Sequence, residues 1–282
     1  MFYTISNEKM IVTINDLGAE ISSVFYKGKE RVWQNENGSW KGKSPVLFPV
    51  CGNSSVIIDG IDCKMPFHGF ARKGVFECVL KKNDKVSFLL KYDDETLAVY
   101  PFKFEFKITY LLKDNSIGIE NEITNVGEKS MPFALGRHDS FALDCPVGEY
   151  KLCFDEEEEF LSQKTDEKGR LINLYVDFGK GNELVVPEDY LTNGQTLIFG
   201  GVKNDRVTLK TLDDRPIAEF FFGEIRNLLF WRPEGARIIC VEPWSSLPDE
   251  RDKCDISFTE NEKYYILNKG ETKTLIFSIN YF

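Results

Sequence analysis

The 282-residue chain is 42% hydrophobic and 13% aromatic and carries a formal net charge of −10, enough apolar material for a large core. The negative charge excludes a nucleic-acid partner, whose phosphates need a basic footprint, and argues against a membrane-surface role. No run of 18 apolar residues predicts a membrane span, and the first nine residues lack the basic start and apolar stretch of a secretory signal.

In chain order, the dominant period is two. A strand is expected at residues 10–14 and another at 86–92. Phe102, Phe104, Phe106, Ile108 and Tyr110 then alternate with Lys103, Glu105, Lys107 and Thr109, the pattern of a strand with one buried face. Ile117, Ile119, Asn121 and Ile123 repeat it beyond the turn-like Lys113-Asp114-Asn115, so the two segments form a hairpin. Five consecutive carboxylates at 155–159 cannot all face one cation and are expected on a solvated loop or edge. Residues 162–182, rich in Lys, Asp and Gly, are expected as an exposed connection. A short turn of helix is expected at 187–191, where Pro187 fits the first position. Further strands are expected at 207–212, 238–242 and 274–280, with no helical stripe anywhere. Many short strands without βαβ alternation predict an all-β antiparallel sandwich with under about 15% helix. No linker or internal repeat divides it, so one domain over 1–282 is expected.

Seven cysteines, at 51, 63, 78, 145, 153, 240 and 254, form no Cys-x-x-Cys pair. An odd, scattered set predicts neither a disulfide framework nor a zinc site, and reduced thiols fit a cytoplasmic protein. No phosphate-cradling loop, dinucleotide turn or nucleophile elbow is present, so no cofactor and no metal is expected.

The chain has only two histidines. His68 lies in Pro66-Phe67-His68-Gly69-Phe70-Ala71-Arg72, flanked by aromatics, with Gly69 permitting close approach. A core histidine satisfied by a carbonyl is the alternative. His138 lies between Arg137 and Asp139, whose charges can move its pKa either way; on a strand both neighbours point to the opposite face. The third candidate is Glu242. An apolar strand that puts Ile238, Cys240 and Glu242 on one face sets an acid at the end of a buried row, and carboxylates are rarely buried without a partner or a task. Trp244 follows as an apolar plate on which a sugar face could stack.

An ordered series of segments then carries a resemblance. Leu47-Phe48-Pro49, His68-Gly69-Phe70-Ala71-Arg72, Tyr100-Pro101-Phe102-Lys103-Phe104, Gly136-Arg137-His138, Glu242-Pro243-Trp244 and the approach to the last strand at 267–273 resemble the aldose 1-epimerase (galactose mutarotase) family, in its LacX-like branch. The resemblance implies a β-supersandwich whose concave face holds the sugar. It implies Glu242 as catalytic base, His138 as general acid and His68 as a supporting histidine. Three positions depart from the family pattern. Cys51-Gly52-Asn53 stands where many relatives have an arginine, Gln195 stands in place of a substrate-binding aspartate, and Arg137 and Asp139 replace Gly and Pro around the acid. Asn53, Gln195, Arg72, Arg137 and Trp244 are the candidate substrate contacts, with Arg72 and Arg137 as candidates for a phosphate.

The expected activity is interconversion of the α and β anomers of a hexose or related sugar by acid–base ring opening, in a monomer or homodimer. Opposite neighbouring charges are expected to keep Glu242 ionised and His138 protonated. The alternatives are a hexose-6-phosphate epimerase or a non-catalytic carbohydrate-binding or sensor protein of the same fold. A glycoside hydrolase ranks last, since only one carboxylate has a convincing setting.

Overall fold

Alternating side chains organise two packed sheets. The computed structural model describes residues 1–58, 60–192, 194–252 and 257–282; Cys254 lies outside them. Strands take up 52% of the chain and helix 6%. The larger sheet has nine strands, in the order Leu171–Val185, Tyr150–Thr165, Arg206–Thr211, Pro216–Phe221, Thr272–Tyr281, Ser116–Asn125, Phe104–Lys113, Lys85–Lys91, Glu77–Lys81. Its neighbours all pair antiparallel. The expected hairpin is at its centre, running in register from Phe104 against Asn125 to Lys113 against Ser116. Asp114 takes φ +53° at the turn, a conformation Asp tolerates better than most residues.

The second sheet positions the site. It runs Leu197–Gly200, Asn227–Trp231, Ile238–Trp244, Gly136–Arg137, Val46–Leu47, with Asp139–Ala142 also on Ile238–Trp244. One face packs on the nine-stranded sheet: Phe48 meets Phe104 and Phe106 at 5.2 and 5.0 Å between ring centroids, and Phe141 meets Phe220 and Tyr281. The resulting core is contiguous and gathers residues from Ile5 to Tyr281. A four-stranded meander, Phe2–Ser6 to Lys29–Glu30, adds Ile5, Val12, Ile14 and Val24 to it.

Three sequence expectations are corrected. Residues 162–182 are not an open connection: they form the ends of the long hairpin Tyr150–Thr165 and Leu171–Val185. Its outer strand is exposed at most positions, so water covers both faces and no alternation marks it. The carboxylates at 155–159 sit on the inner strand of that hairpin, and Glu158 is buried. Its Oε1 accepts from the backbone N–H groups of Lys203 and Asn204 and from Asn204 Nδ2 at 2.7–2.9 Å. A helix at Asp94–Val99 was not anticipated; Asp93 and Thr96 close a capping box around its first turn. The other short helix spans Glu188–Thr192. No helix among the described residues is long and apolar enough to cross a membrane.

Candidate active site

Register brings His138 and Glu242 together. Gly136 pairs with Trp244 and Asp139 with Val241; the same register between them sets His138 opposite Glu242. Side chains alternate across a strand, so Ile239 and Val241 enter the main core while Ile238, Cys240 and Glu242 face the other way. His138 Nε2 lies 3.3 Å from Glu242 Oε1. Both residues are buried, at 8% and 2% exposure. Glu242 Oε1 and His138 Nδ1 have no hydrogen-bond partner within the protein. Buried polar atoms without partners are rare, and two on one facing pair mark a place shaped for something else to bind.

His68 reaches the same spot from a strained turn. It adopts φ +65° and is followed by Gly69 at φ +72°. A side chain on Gly69 would put Cβ 2.1 Å from the Phe48 carbonyl oxygen, so only glycine allows the bridge that ties this turn to Phe48. The His68 backbone donates to the Gly52 carbonyl at 2.9 Å, and the Gly52 N–H donates to His68 Nδ1 at 3.0 Å. A backbone N–H can only donate, so Nδ1 is the acceptor and the imidazole proton is on Nε2. Burial, followed by His138 and Arg72, holds the His68 pKa well below 6.5. His68 is therefore a neutral hydrogen-bond donor rather than a source of protons.

These three residues lie on the wall of a cavity of about 700 Å³, a size typical of small-molecule sites. Trp40, Trp231, Trp244 and Phe67 supply the apolar part of the lining, and Trp244 offers a plate on which a sugar face can stack. Arg72 lines the same space from the 3-10 turn Ala71–Lys73. Its Nε is buried without a partner, and burial lowers its pKa.

Burial also controls the facing pair. It pushes the Glu242 carboxyl well above its usual 4.5, with Asp139 adding to the rise, and pulls the His138 imidazole down to about 3, with Arg72 adding to the fall. The sequence expectation of an ionised Glu242 and a protonated His138 is corrected: desolvation outweighs mutual attraction, and the shared proton favours the carboxyl. Moving that proton across 3.3 Å converts the neutral pair into the ion pair at constant proton count.

Comparison with known proteins agrees with this architecture. The family model described as aldose 1-epimerase matches residues 1–280. The chain belongs to the aldose 1-epimerase family. It is 30% identical over 281 residues to the LacX protein of Lactococcus lactis, with 91% of each chain covered. A galactose mutarotase related enzyme from Lactobacillus acidophilus superposes with a TM-score of 0.92 at 27% identity, covering all of this chain and 97% of that one. A galactose mutarotase-like protein from Lactobacillus casei gives 0.90 at 28% identity over 99% of both chains.

Within this aldose 1-epimerase scaffold the candidate contacts divide. His68, His138, Glu242, Arg72 and Trp244 line the cavity. Arg137 does not: it is fully buried on the face opposite His138, donating from Nε and Nη2 to Asp139 at 3.0 and 2.5 Å and from Nη1 to the Tyr110 hydroxyl at 3.2 Å. Tyr110 in turn donates to the Ala19 carbonyl. Burial lowers the Arg137 pKa, but the Asp139 charge and these hydrogen bonds more than offset it, leaving the guanidinium firmly charged. Its expected substrate role is corrected by the two-residue period, which turns it into the core. Asn53 lies outside the lining and donates to the Lys168 carbonyl at 2.7 Å. Gln195 is exposed, and its neighbour Thr196 lines the wall instead.

Glu20, Trp40, Lys41 and Trp231 also line the cavity and were not anticipated; each comes from a segment distant in sequence from the histidines, and no local motif marks them. Donor atoms of His138, Cys240 and Glu242 all lie within 4.8 Å of one another, so this trio could hold a divalent ion if the buried thiol lost its proton. A second hollow of about 770 Å³ beside residues 245–250 contains no histidine, and its Lys263 is tied to Asp249 at 2.6 Å. Of these two, the first gathers both histidines and Glu242.

Proposed function

We propose that the protein is a cofactor-independent aldose 1-epimerase that interconverts the α and β anomers of a hexose or related sugar, with Glu242 as base, His138 as acid and His68 as a neutral donor to a substrate oxygen. The observation that carries the reading is the facing of His138 and Glu242 at 3.3 Å on the wall of a sugar-sized cavity, each with a buried polar atom left unpartnered.

The chemistry follows from one proton on two sites. Polar hydroxyls entering the cavity replace missing partners and favour the ion pair, Glu242 ionised and His138 protonated. Glu242 takes the proton of the anomeric hydroxyl while His138 gives its proton to the ring oxygen. The bond from the anomeric carbon to the ring oxygen breaks, the carbonyl forms, and the pair becomes neutral. That neutral pair is the form burial prefers, so desolvation assists ring opening. Rotation of the free aldehyde and reversal of both transfers complete the exchange. Each group typically contributes about 10²–10⁴-fold.

A second reading concerns the substituent. Arg72, Lys41 and Lys73 line the cavity, and none has a carboxylate partner among the described residues. On a chain of net charge −10, three unpaired cations favour an aldose bearing a phosphate. The six described cysteines are free thiols, which supports a cytoplasmic location. Reading the core as continuous from Ile5 to Tyr281, we take the chain as one domain, and a monomer or homodimer suffices because one chain lines the whole cavity.

Polarimetry on freshly dissolved aldoses and their 6-phosphates tests the proposal. Anomer exchange well above the buffer rate on at least one sugar is expected. Tight sugar binding with no exchange on any member of the panel would replace the enzyme by a sensor of the same fold.

A further inference from the structure

His138 lacks the usual device for fixing a catalytic imidazole. Such rings are commonly oriented by a hydrogen bond to another residue at the nitrogen remote from the chemistry, yet His138 Nδ1 meets no acceptor beyond its own backbone. What lies against the ring is Trp40. Their centroids are 5.0 Å apart and their planes differ by 29°, a stacked arrangement. Trp231 closes a second side edge-on, 5.7 Å from His138 and 5.4 Å from Trp40.

The surrounding loop is built to hold that indole in place. Trp33 Nε1 donates to the Trp40 carbonyl at 2.9 Å, and the Trp40 N–H donates to Asn35 Oδ1. Gly42 leaves the space the ring occupies: a Cβ there would lie 2.4 Å from Trp40 Cζ2. The His138 N–H donates to the Pro45 carbonyl at 3.1 Å, anchoring the far end of the same loop to the histidine backbone.

We propose that Trp40 is a positioning residue for His138, its indole face fixing the imidazole plane toward Glu242 and stabilising the imidazolium by a cation–π contact. This deepens the proposed function, since it rests on His138 as the acid. The contact is electrostatic and is strongest where water is excluded, as it is at His138. The other ionisable groups around the ring are Glu242 across the strand pair, Cys240 beside it, His68 and Arg72 on the turn opposite, and Glu20, Lys41 and Lys73 on the same cavity wall. Glu242, in direct contact, favours the imidazolium when charged; Arg72 opposes it.

Three variants separate positioning from mere wall-building. Trp40→Phe keeps an aromatic face and should hold kcat within about threefold. Trp40→Leu keeps the site dry but removes the face, and kcat should fall about tenfold while KM moves less than threefold. Gly42→Ala should reproduce the Trp40→Leu loss with the tryptophan still present, because its Cβ displaces the ring; circular dichroism and the melting temperature check that it folds. Imidazole ¹⁵N signals of His138 give a readout free of turnover: with 1,5-anhydroglucitol, a hexose analogue that cannot open, filling the cavity and favouring the ion pair, the imidazolium fraction should drop in Trp40→Leu and persist in Trp40→Phe. A Trp40→Leu enzyme with unchanged kcat and unchanged ¹⁵N signals, or one altered in KM alone, overturns the proposal. If the unsubstituted protein exchanges no anomers, the activity fails on its own account and the ¹⁵N comparison still decides the stacking.

Discussion

His138, between the short strands Gly136–Arg137 and Asp139–Ala142, lies opposite Glu242 of Ile238–Trp244, and 3.3 Å separates Nε2 from Oε1. The pair is buried and carries one proton, so its two halves act as a unit.

Removal of the carboxylate is the most direct test of that unit. Glu242→Gln preserves shape and burial, so sugar binding measured by calorimetry should stay within about threefold. The rate of anomer exchange by polarimetry should fall roughly 10²-fold or more. Retention of near-parent exchange would remove Glu242 from the mechanism.

The pH dependence follows from opposite shifts. A second proton joins the pair only as pH falls toward the lowered His138 value of about 3, and the last proton leaves only as pH rises toward the raised Glu242 value. Activity should therefore hold a broad plateau through neutrality, with both limbs displaced outward. Stability has its own signature. A raised carboxyl contributes stability fully present below its ordinary 4.5 and lost as pH rises through the folded value, whereas lowered His138 contributes stability present above 6.5 and lost as pH falls toward about 3. The melting temperature of Glu242→Gln should thus exceed that of the parent by a margin that widens from pH 4.5 upward. A margin independent of pH would contradict the raised Glu242.

Arg137 should matter for stability and not for sugar. Arg137→Leu leaves Asp139 buried without its bidentate partner, at a cost of about 3–5 kcal/mol in chemical denaturation. Replacing Asp139 by leucine as well should recover most of that loss. Sugar affinity of the folded fraction should be unchanged in both variants.

Arg72 should decide between neutral and phosphorylated sugars. Its Nε has no protein partner, so Arg72→Gln should lower kcat/KM for a 6-phosphate by about 10–100-fold and for the free sugar by less than about threefold. Equal losses on both substrates would assign Arg72 to the sugar ring instead of a phosphate.

Much of this was legible because one face of most strands is dry. Phe104, Phe106, Ile108 and Tyr110 announce their strand by alternation, and the same period in residues 238–242 set Glu242 on the face it occupies. The resemblance to known epimerases located both histidines. Arg137, a departure from the family pattern, was nominated for its charge beside His138, although the period of two already turned it away from that residue; local geometry was the better guide. Strands of two or three residues, such as Val46–Leu47, are too short to show a period. The edge strand Leu171–Val185 is wet on both sides, and the Asp94–Val99 helix buries nothing. Trp40 and Glu20 reach the cavity through long-range folding that no local signal encodes.

The stretch from Gly136 to Ala142 sends successive side chains to opposite destinations: His138 to the cavity, Arg137 and Asp139 to the network of Tyr110 and Ala19. A one-residue deletion there would turn the segment over, thrusting a guanidinium at the substrate and an imidazole into the place of a salt bridge. Both catalysis and folding would be lost in one event, with no intermediate that keeps either. Spacing in this segment is therefore less negotiable than the chemistry of any single side chain within it, and length changes should be tolerated only outside it, as in the exposed turn at Lys27 and Gly28.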